Sequence, residues 1–328
     1  MERINRPFSG ITTFLRTKHT EDPADYKKAA IAVLGVPFDE GSPFLPGSRM
    51  APRAIREHSL RFPVLSPIYD VDSDETYLWH EISNKLIIDA GDVDVRPANA
   101  ARTFDVIRAR VQEFVDTGVF PVIIGGDHSI TYPVFETLNK PAHVIQFDAH
   151  QDCDEITEDL MHTNSHPFRH IINMKNCLSL TQVGIRGLRN PAALYNEMKQ
   201  LGHNVVTMKQ VHELGASGIA GLIPAGEAVY ISIDIDALDM SLIPGCVSGE
   251  PNGMTFNELT DALRAIVETH PVIGFDFVEI NPMLDVGTGA TSYLGTVIIV
   301  TLLGIICNQP RWQDQLSSRG LLSALKTL

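Results

Sequence analysis

Three short apolar runs in this chain each end in side chains that bind metal ions, and this repeated arrangement restricts the fold more than any other feature. Val122-Ile123-Ile124 leads into Gly125-Gly126-Asp127-His128-Ser129. Ala142 to Phe147 leads into Asp148-Ala149-His150-Gln151-Asp152, and Ile231-Ser232-Ile233 leads into Asp234-Ile235-Asp236. Apolar runs of this length read as buried strands of a parallel sheet. Alternate side chains of a strand share one face, so Asp148, His150 and Asp152 can converge on one ion where the strand frays. In a parallel α/β sheet, ligands bind outside the carboxyl ends of the strands. His128, Asp148, His150, Asp152, Asp234 and Asp236 would then supply one crevice. Two divalent ions held side by side need shared carboxylates, and this ligand set can provide them. Hard oxygens with imidazole suit an ion such as Mn²⁺ better than a thiolate-seeking one. Reading the three runs as ordinary solvated strand ends would require three independent coincidences.

At 328 residues the chain could hold one large domain or two smaller ones. Because the three motifs must share a site, a single domain over residues 29–328 is expected, preceded by an irregular N-terminal arm over residues 1–28. Hydrophobic content of 44% and charged content of 20% match a globular protein with a sizeable core. The net charge of −14 disfavours nucleic acid or an anionic membrane surface as partner and suits a small cation. Cys153, Cys177, Cys246 and Cys307 form no CxxC pair, and with no secretory signal at Met1 to Pro7 a cytoplasmic location is expected. Tyr293 to Cys307 is too short for a comfortable membrane span and reads as a buried C-terminal helix.

Strand-like and helix-like runs alternate along the chain. Ala29 to Val36, Leu86 to Ile88, Leu180 to Ile185, Asn204 to Met208 and Val272 to Val278 add strands to the three already named. Phe104, Ile107, Val111, Phe114 and Val115 form a helical stripe, and Thr255 is placed to cap a helix over 256–267. The alternation predicts a three-layer α/β/α domain around a central, mostly parallel sheet of about eight strands.

With these motifs in hand, the sequence resembles the ureohydrolase family of arginases and agmatinases over nearly its whole length. Phe8-Ser9-Gly10-Ile11-Thr12-Thr13-Phe14, Gly35-Val36-Pro37-Phe38-Asp39, Pro46-Gly47-Ser48-Arg49 and Glu279-Ile280-Asn281-Pro282 add to the three metal motifs, and the N-terminal pieces are more similar to the agmatinase branch. The resemblance implies an arginase-like fold and two Mn²⁺ per subunit, with Ni²⁺ or Co²⁺ as alternatives. It also implies cleavage of a guanidino compound to urea and an amine. One ion would take His128, Asp148, Asp152 and Asp234, and the other Asp148, His150, Asp234 and Asp236. Asp152 would pass a proton to the leaving amine, and Glu279 would hold the guanidinium.

His162, twelve positions beyond His150, matches the family's loop histidine, which handles protons or orients substrate. His166 is its rival, because His162-Thr163-Asn164-Ser165-His166-Pro167-Phe168 departs from the family's usual His-Gly-Thr-Pro-Phe. Met240 and Cys246-Val247 also depart from the common pattern, near the expected substrate mouth. Asp154 matches a tail-recognising position, and with Glu155, Glu158 and Asp159 it suggests an agmatine-like cationic substrate. Free guanidine, a biguanide, guanidinobutanoate and guanidinopropanoate are the alternatives. A homo-oligomer, trimer or hexamer, follows from the resemblance, and a hetero-oligomer is the variant of it. Two competing readings remain. A binuclear phosphoesterase is disfavoured by the acidic surroundings, and a catalytically silent partner subunit should have lost ligands, whereas all six are present.

Overall fold

The computed structural model describes residues 6–138, 140–158 and 160–322. The chain enters through a short edge strand β1 (Lys18–His19) and one helical turn α1 (Pro23–Tyr26), then the fully buried β2 (Ile31–Val36). Next come α2 (Ala51–Ser59), an antiparallel hairpin of β3 (Ile68–Asp70) and β4 (Glu75–Tyr77), α3 (Trp79–Ser83) and β5 (Ile87–Asp92). Regular alternation follows: α4 (Ala100–Thr117), β6 (Phe120–Gly125), α5 (Thr131–Glu136), β7 (Ala142–Phe147), α6 (Pro167–Ile171), β8 (Cys177–Ile185), α7 (Ala192–Gln200) and β9 (Asn204–Thr207). The chain then runs through α8 (Met208–Ala220), β10 (Val229–Asp234), α9 (Phe256–Thr269), β11 (Val272–Val278), α10 (Ala290–Cys307) and α11 (Pro310–Ser318).

The main sheet has nine strands in the order β1-β5-β2-β6-β11-β10-β7-β8-β9, and every pairing in it is parallel. Two hydrophobic clusters, one on each face, make the three layers. One packs α2, α8, α9, α10 and α11 against the sheet, and the other packs α4, α5, α6 and α7. The stripe expected on α4 is the buried one: Phe104, Ile107, Val111 and Phe114 face the second cluster. Thr255 caps α9 through a reciprocal pair of bonds with Glu258. Helix α10 has a mean hydropathy of 2.1 and the length to cross a bilayer, yet 72% of it is buried. It is the core helix expected over Tyr293 to Cys307.

The sheet has nine strands where about eight were expected, and the addition is β1. A two-residue strand carries no periodicity, and Leu15 and Arg16 just before it take left-handed backbone at φ 48° and 56°. What anchors this segment is a buried charge. The Phe14 amide donates to Asp89 Oδ2 at 2.8 Å, and Arg56 donates to the same carboxylate at 2.8 Å and 3.0 Å. The Leu15 amide donates to Ser59 Oγ, which fixes the segment to α2. Of the stretch expected to be an irregular arm, residues 1–5 lie outside the described residues, while Phe14 and Leu15 are buried in the first cluster.

Between β2 and β6 two loops cross backbone to backbone. The Asp127 amide donates to the Phe38 carbonyl at 2.8 Å, and a Cβ at Gly126 would collide with that oxygen. Glycine at 126 is therefore a steric requirement. The fold makes one energetic forecast: Phe14→Ala should cost about 3–5 kcal/mol, measured by urea unfolding. A cost below about 1 kcal/mol would show that residues 14–19 behave as a surface arm.

Candidate metal centre

Four adjacent strands at the middle of the sheet, β6, β11, β10 and β7, deliver their carboxyl ends to one place. His128 opens a 3-10 turn after β6, and the Phe168 ring packs edge-on against its imidazole. Its Nδ1 lies 3.1 Å from Asp148 Oδ2, 3.0 Å from Asp152 Oδ2 and 3.4 Å from Asp234 Oδ2. It is aligned for a hydrogen bond with none of them, although it is buried. His150 Nδ1 lies 3.0 Å from Asp236 Oδ2 and 3.5 Å from Asp148 Oδ1.

Backbone and side-chain donors hold the carboxylates in register. Asp148 accepts from the His150 amide and from Gln146 Nε2, at 2.6 Å and 2.7 Å. Asp234 Oδ1 accepts from the Asp236 amide at 2.8 Å, which leaves Oδ2 toward His128. Asp236 accepts from the Ala149 amide at 2.9 Å and from Ser248 Oγ at 2.8 Å.

A hydrogen-bond chain sets the His128 tautomer. Ser232 Oγ donates to Asp276 Oδ1 at 2.6 Å, so its oxygen accepts from His128 Nε2–H at 2.9 Å. Tyr230 donates to the other Asp276 oxygen at 2.6 Å. A neutral His128 therefore carries its lone pair on Nδ1, facing the three carboxylates. That is the arrangement in which outer partners orient a metal-binding histidine.

Two groupings could each hold an ion: His128 with Asp148, Asp152 and Asp234, and Asp148 with His150 and Asp236. The first is the full set expected for one ion. The second has three of the four expected for the other, and Asp234 is grouped with Asp236 and Cys246 instead. When all four carboxylates are ionised, two divalent cations would balance their charge. The clustered carboxylates also draw protons. Burial opposes a charge on His128, but Asp148, Asp152 and Asp234 outweigh it and hold its pKa well above the ordinary imidazole value. His150 is pushed up to about 12, burial being outweighed by Asp236 and Asp148. Burial, followed by the nearby Asp148, pushes Asp152 up to about 7. Asp234 rises well above the carboxylate range through burial, Asp236 and Asp148. A dry cluster that captures protons this strongly has the donor chemistry to capture divalent cations.

The cluster opens into a cleft of about 280 Å³, lined among others by Asp152, Asp234, Glu279, Asp154, Asn164 and Arg189. Glu279 Oε1 accepts from the His128 amide at 2.9 Å and from Asn164 Nδ2 at 3.2 Å. Burial and then Asp127 push the Glu279 pKa up to about 8. Asp152 and Glu279 both sit in left-handed backbone, at φ 45° and 67°, a strain that clusters at functional sites.

Neither His162 nor His166, the two loop histidines expected to compete for a catalytic role, lines this cleft. The His162 ring packs edge-on against Phe104 and its Nδ1 meets the Tyr132 hydroxyl at 3.1 Å. His166 is buried, with Nδ1 against Thr163 Oγ1. The residues between them, Asn164 and Ser165, line the cleft instead. Of the four acids expected at the mouth, Asp154 lines it, Glu155 and Glu158 are exposed away from it, and Asp159 lies outside the described residues. Arg189, in the loop after β8, was not anticipated there. No ligand motif marks that loop, so only the sheet order brings it beside the centre. Cys246 and Ser232 also join the site. The first stood out as a departure from the family pattern, and the second shares a strand face with Asp234.

Comparison with known proteins decides the family. The arginase family model matches residues 29–304. This chain belongs to that family. Proclavaminate amidinohydrolase of Streptomyces clavuligerus is 32% identical over 315 residues, covering 92% of this chain and 96% of its own length. Its solved structure superposes with a TM-score of 0.80 over 92% of this chain and 98% of that one, at 30% identity. Agmatinase of Bacillus anthracis is 31% identical over 79% of this chain and 86% of its own. Guanidinopropionase of Pseudomonas aeruginosa is 30% identical over 91% and 92%. The chain is thus a ureohydrolase-family member, and the agmatinase branch is one of several it is similar to.

Two expectations follow from the geometry. Asp234→Asn should release both ions, and Ser232→Ala should weaken metal binding by about 10–100-fold, read by elemental analysis after dialysis. Retention of about two equivalents by Asp234→Asn would contradict the shared-ligand arrangement. The second expectation concerns pH. Asp127 and Asp152 lie at about 7 and Glu279 at about 8, against unfolded carboxylates near 4. Between those limits the metal-free fold keeps protons that the unfolded chain has lost, so its stability should fall as pH rises from about 5 to about 8. The melting-temperature gain from MnCl₂ should grow over the same range, because fewer protons need displacing. A gain that shrinks with rising pH would contradict this.

Proposed function

We propose that this chain is a two-metal amidinohydrolase, with Mn²⁺ as its native ion, that adds water to a guanidino carbon and releases urea and an amine. The observation that carries the reading is the buried six-ligand cluster, with the His128 lone pair facing three carboxylates and Glu279 at its side. Bound divalent ions would activate water near neutral pH. His128, Asp148, Asp152 and Asp234 would hold one ion, and Asp148, His150, Asp234 and Asp236 the other. Asp152, which lines the cleft beside Glu279, is placed to take the proton from the attacking water and return it to the leaving amine. Glu279 would accept the guanidinium N–H groups, a planar donor set matched to a carboxylate.

The tail of the substrate meets two side chains of opposite sign. Arg189 is already paired, donating to Glu250 Oε1 at 2.8 Å and to the Ser248 carbonyl at 2.7 Å. Asp154 has no ion pair among the described residues and stands exposed at the mouth. A cationic tail finds a free partner, whereas a carboxylate tail must compete with Glu250 for Arg189. This supports an agmatine-like substrate. The second reading, a guanidino acid, is favoured by the presence of Arg189 in the cleft at all. The strongly exposed Phe8 and Ile11 support assembly into a homo-oligomer through the N-terminal segment.

Urea release from agmatine, guanidine and 4-guanidinobutanoate tests the proposal. Agmatine should give the highest kcat/KM, and Asp154→Asn should lower its advantage by roughly two- to five-fold, the scale of an exposed charge pair. Preference for the carboxylate, lost in Arg189→Ala, would establish the second reading. No urea from any of the three would remove both.

A further inference from the structure

Asn164 carries an unusual combination of bonded and unbonded atoms. It lies in the loop before α6 and lines the cleft next to Glu279. Its Nδ2 donates to Glu279 Oε1, which also accepts the His128 amide. The amide nitrogen of Asn164 is thus the end bonded to Glu279, on an oxygen that also takes the His128 amide. Its Oδ1 therefore points elsewhere. That oxygen is buried and has no hydrogen-bond partner among the described residues. A buried carbonyl oxygen without a donor is costly, and the cost of such a group calls for an explanation in ligand, ion or water.

The surroundings narrow the choice. Both hydrogen bonds to Glu279 fall on Oε1, so the carboxylate keeps Oε2 for a ligand. Glu279 and Asn164 are thus two linked side chains lining one cleft, each with an oxygen that takes no part in the bond between them. The ligand that fits is a planar cation with donors on its edges and no acceptor of its own. We propose that Asn164 Oδ1 accepts a hydrogen bond from the guanidinium of the substrate, completing with Glu279 a paired acceptor site. This rests on the amidinohydrolase reading and adds to it a substrate-binding residue. It also explains why His162 and His166 can be engaged elsewhere: the loop reaches the reacting group through the amide between them.

The test is calorimetric titration of the Mn²⁺-loaded protein with guanidinium chloride, comparing the parent with Asn164→Leu and Asn164→Ala, together with thermal melting. Both variants should bind guanidinium roughly 10–100-fold more weakly, the range for a hydrogen bond to a charged group. Asn164→Leu keeps the shape and removes both the orphaned acceptor and the donor to Glu279 Oε1, two effects of opposite sign, so its melting temperature should stay close to that of the parent. A purely structural asparagine would give the opposite pattern, with melting lowered and binding intact, and that result overturns the proposal. Unchanged affinity in both variants, or a parent that does not bind guanidinium, overturns it as well. Urea release by the parent is scored separately, so loss of the Asn164 assignment leaves the hydrolase reading standing. Absence of urea from every guanidino compound removes that reading itself.

Discussion

Four carboxylates gathered in a nearly dry space are the constraint on which the rest of this structure depends. Removing charge from water is expensive, and like charges at close range add to the cost. The protein meets part of it with oriented donors: the amides of Ala149, His150 and Asp236 each point at an aspartate oxygen. Those amides sit at strand ends because β7 and β10 are neighbours in register, from Val229 opposite His143 to Ile233 opposite Phe147. The remaining deficit is positive charge. The sheet is therefore a scaffold that holds an unfavourable cluster in place until cations make it favourable.

A second layer of that scaffold lies in the backbone. Asp152 and Glu279 both occupy left-handed conformations, and neither is a glycine for which that is free. Each turns its side chain into the cleft immediately after a motif or strand that would otherwise carry it past. The Gly126 crossing against Phe38 works in the same direction, because it pins the loop that supplies His128. The mouth is built differently. Asp154 and Arg189 come from loops that surround the centre without being threaded through it, so tail recognition can vary while the metal ligands stay fixed.

Legibility in the sequence followed the physics of each feature. The central strands were readable because burial on both faces writes continuous apolar runs, and the ligands because polar residues interrupt those runs abruptly. Eight strands could be seen that way. Strand β1 could not, since its place is set by Asp89, seventy positions beyond His19. The hairpin of β3 and β4 and the helix α11 also escaped, because short elements leave weak periodicity. The loop histidines lie outside the cleft lining for another reason. Spacing from His150 is a good guide only while the loop keeps its length and its glycine, and here it keeps neither. Arg189 was visible as a residue but not as a neighbour of the site, because sheet order is a tertiary property. The comparison relatives fix the family and leave the tail chemistry to these loops.

Helix α10 has a consequence for how the protein comes into being. It is almost entirely apolar, and it covers the face of the sheet that α2 and α9 share. Chains emerge from the ribosome amino end first, at several residues per second. The strands that α10 must cover, β2 and β6 among them, are complete more than 150 residues earlier. For many seconds a greasy sheet face and its last sealing helix exist apart. The nascent chain therefore presents binding surface to chaperones throughout that interval, and its vulnerability ends only when residues 290–307 arrive.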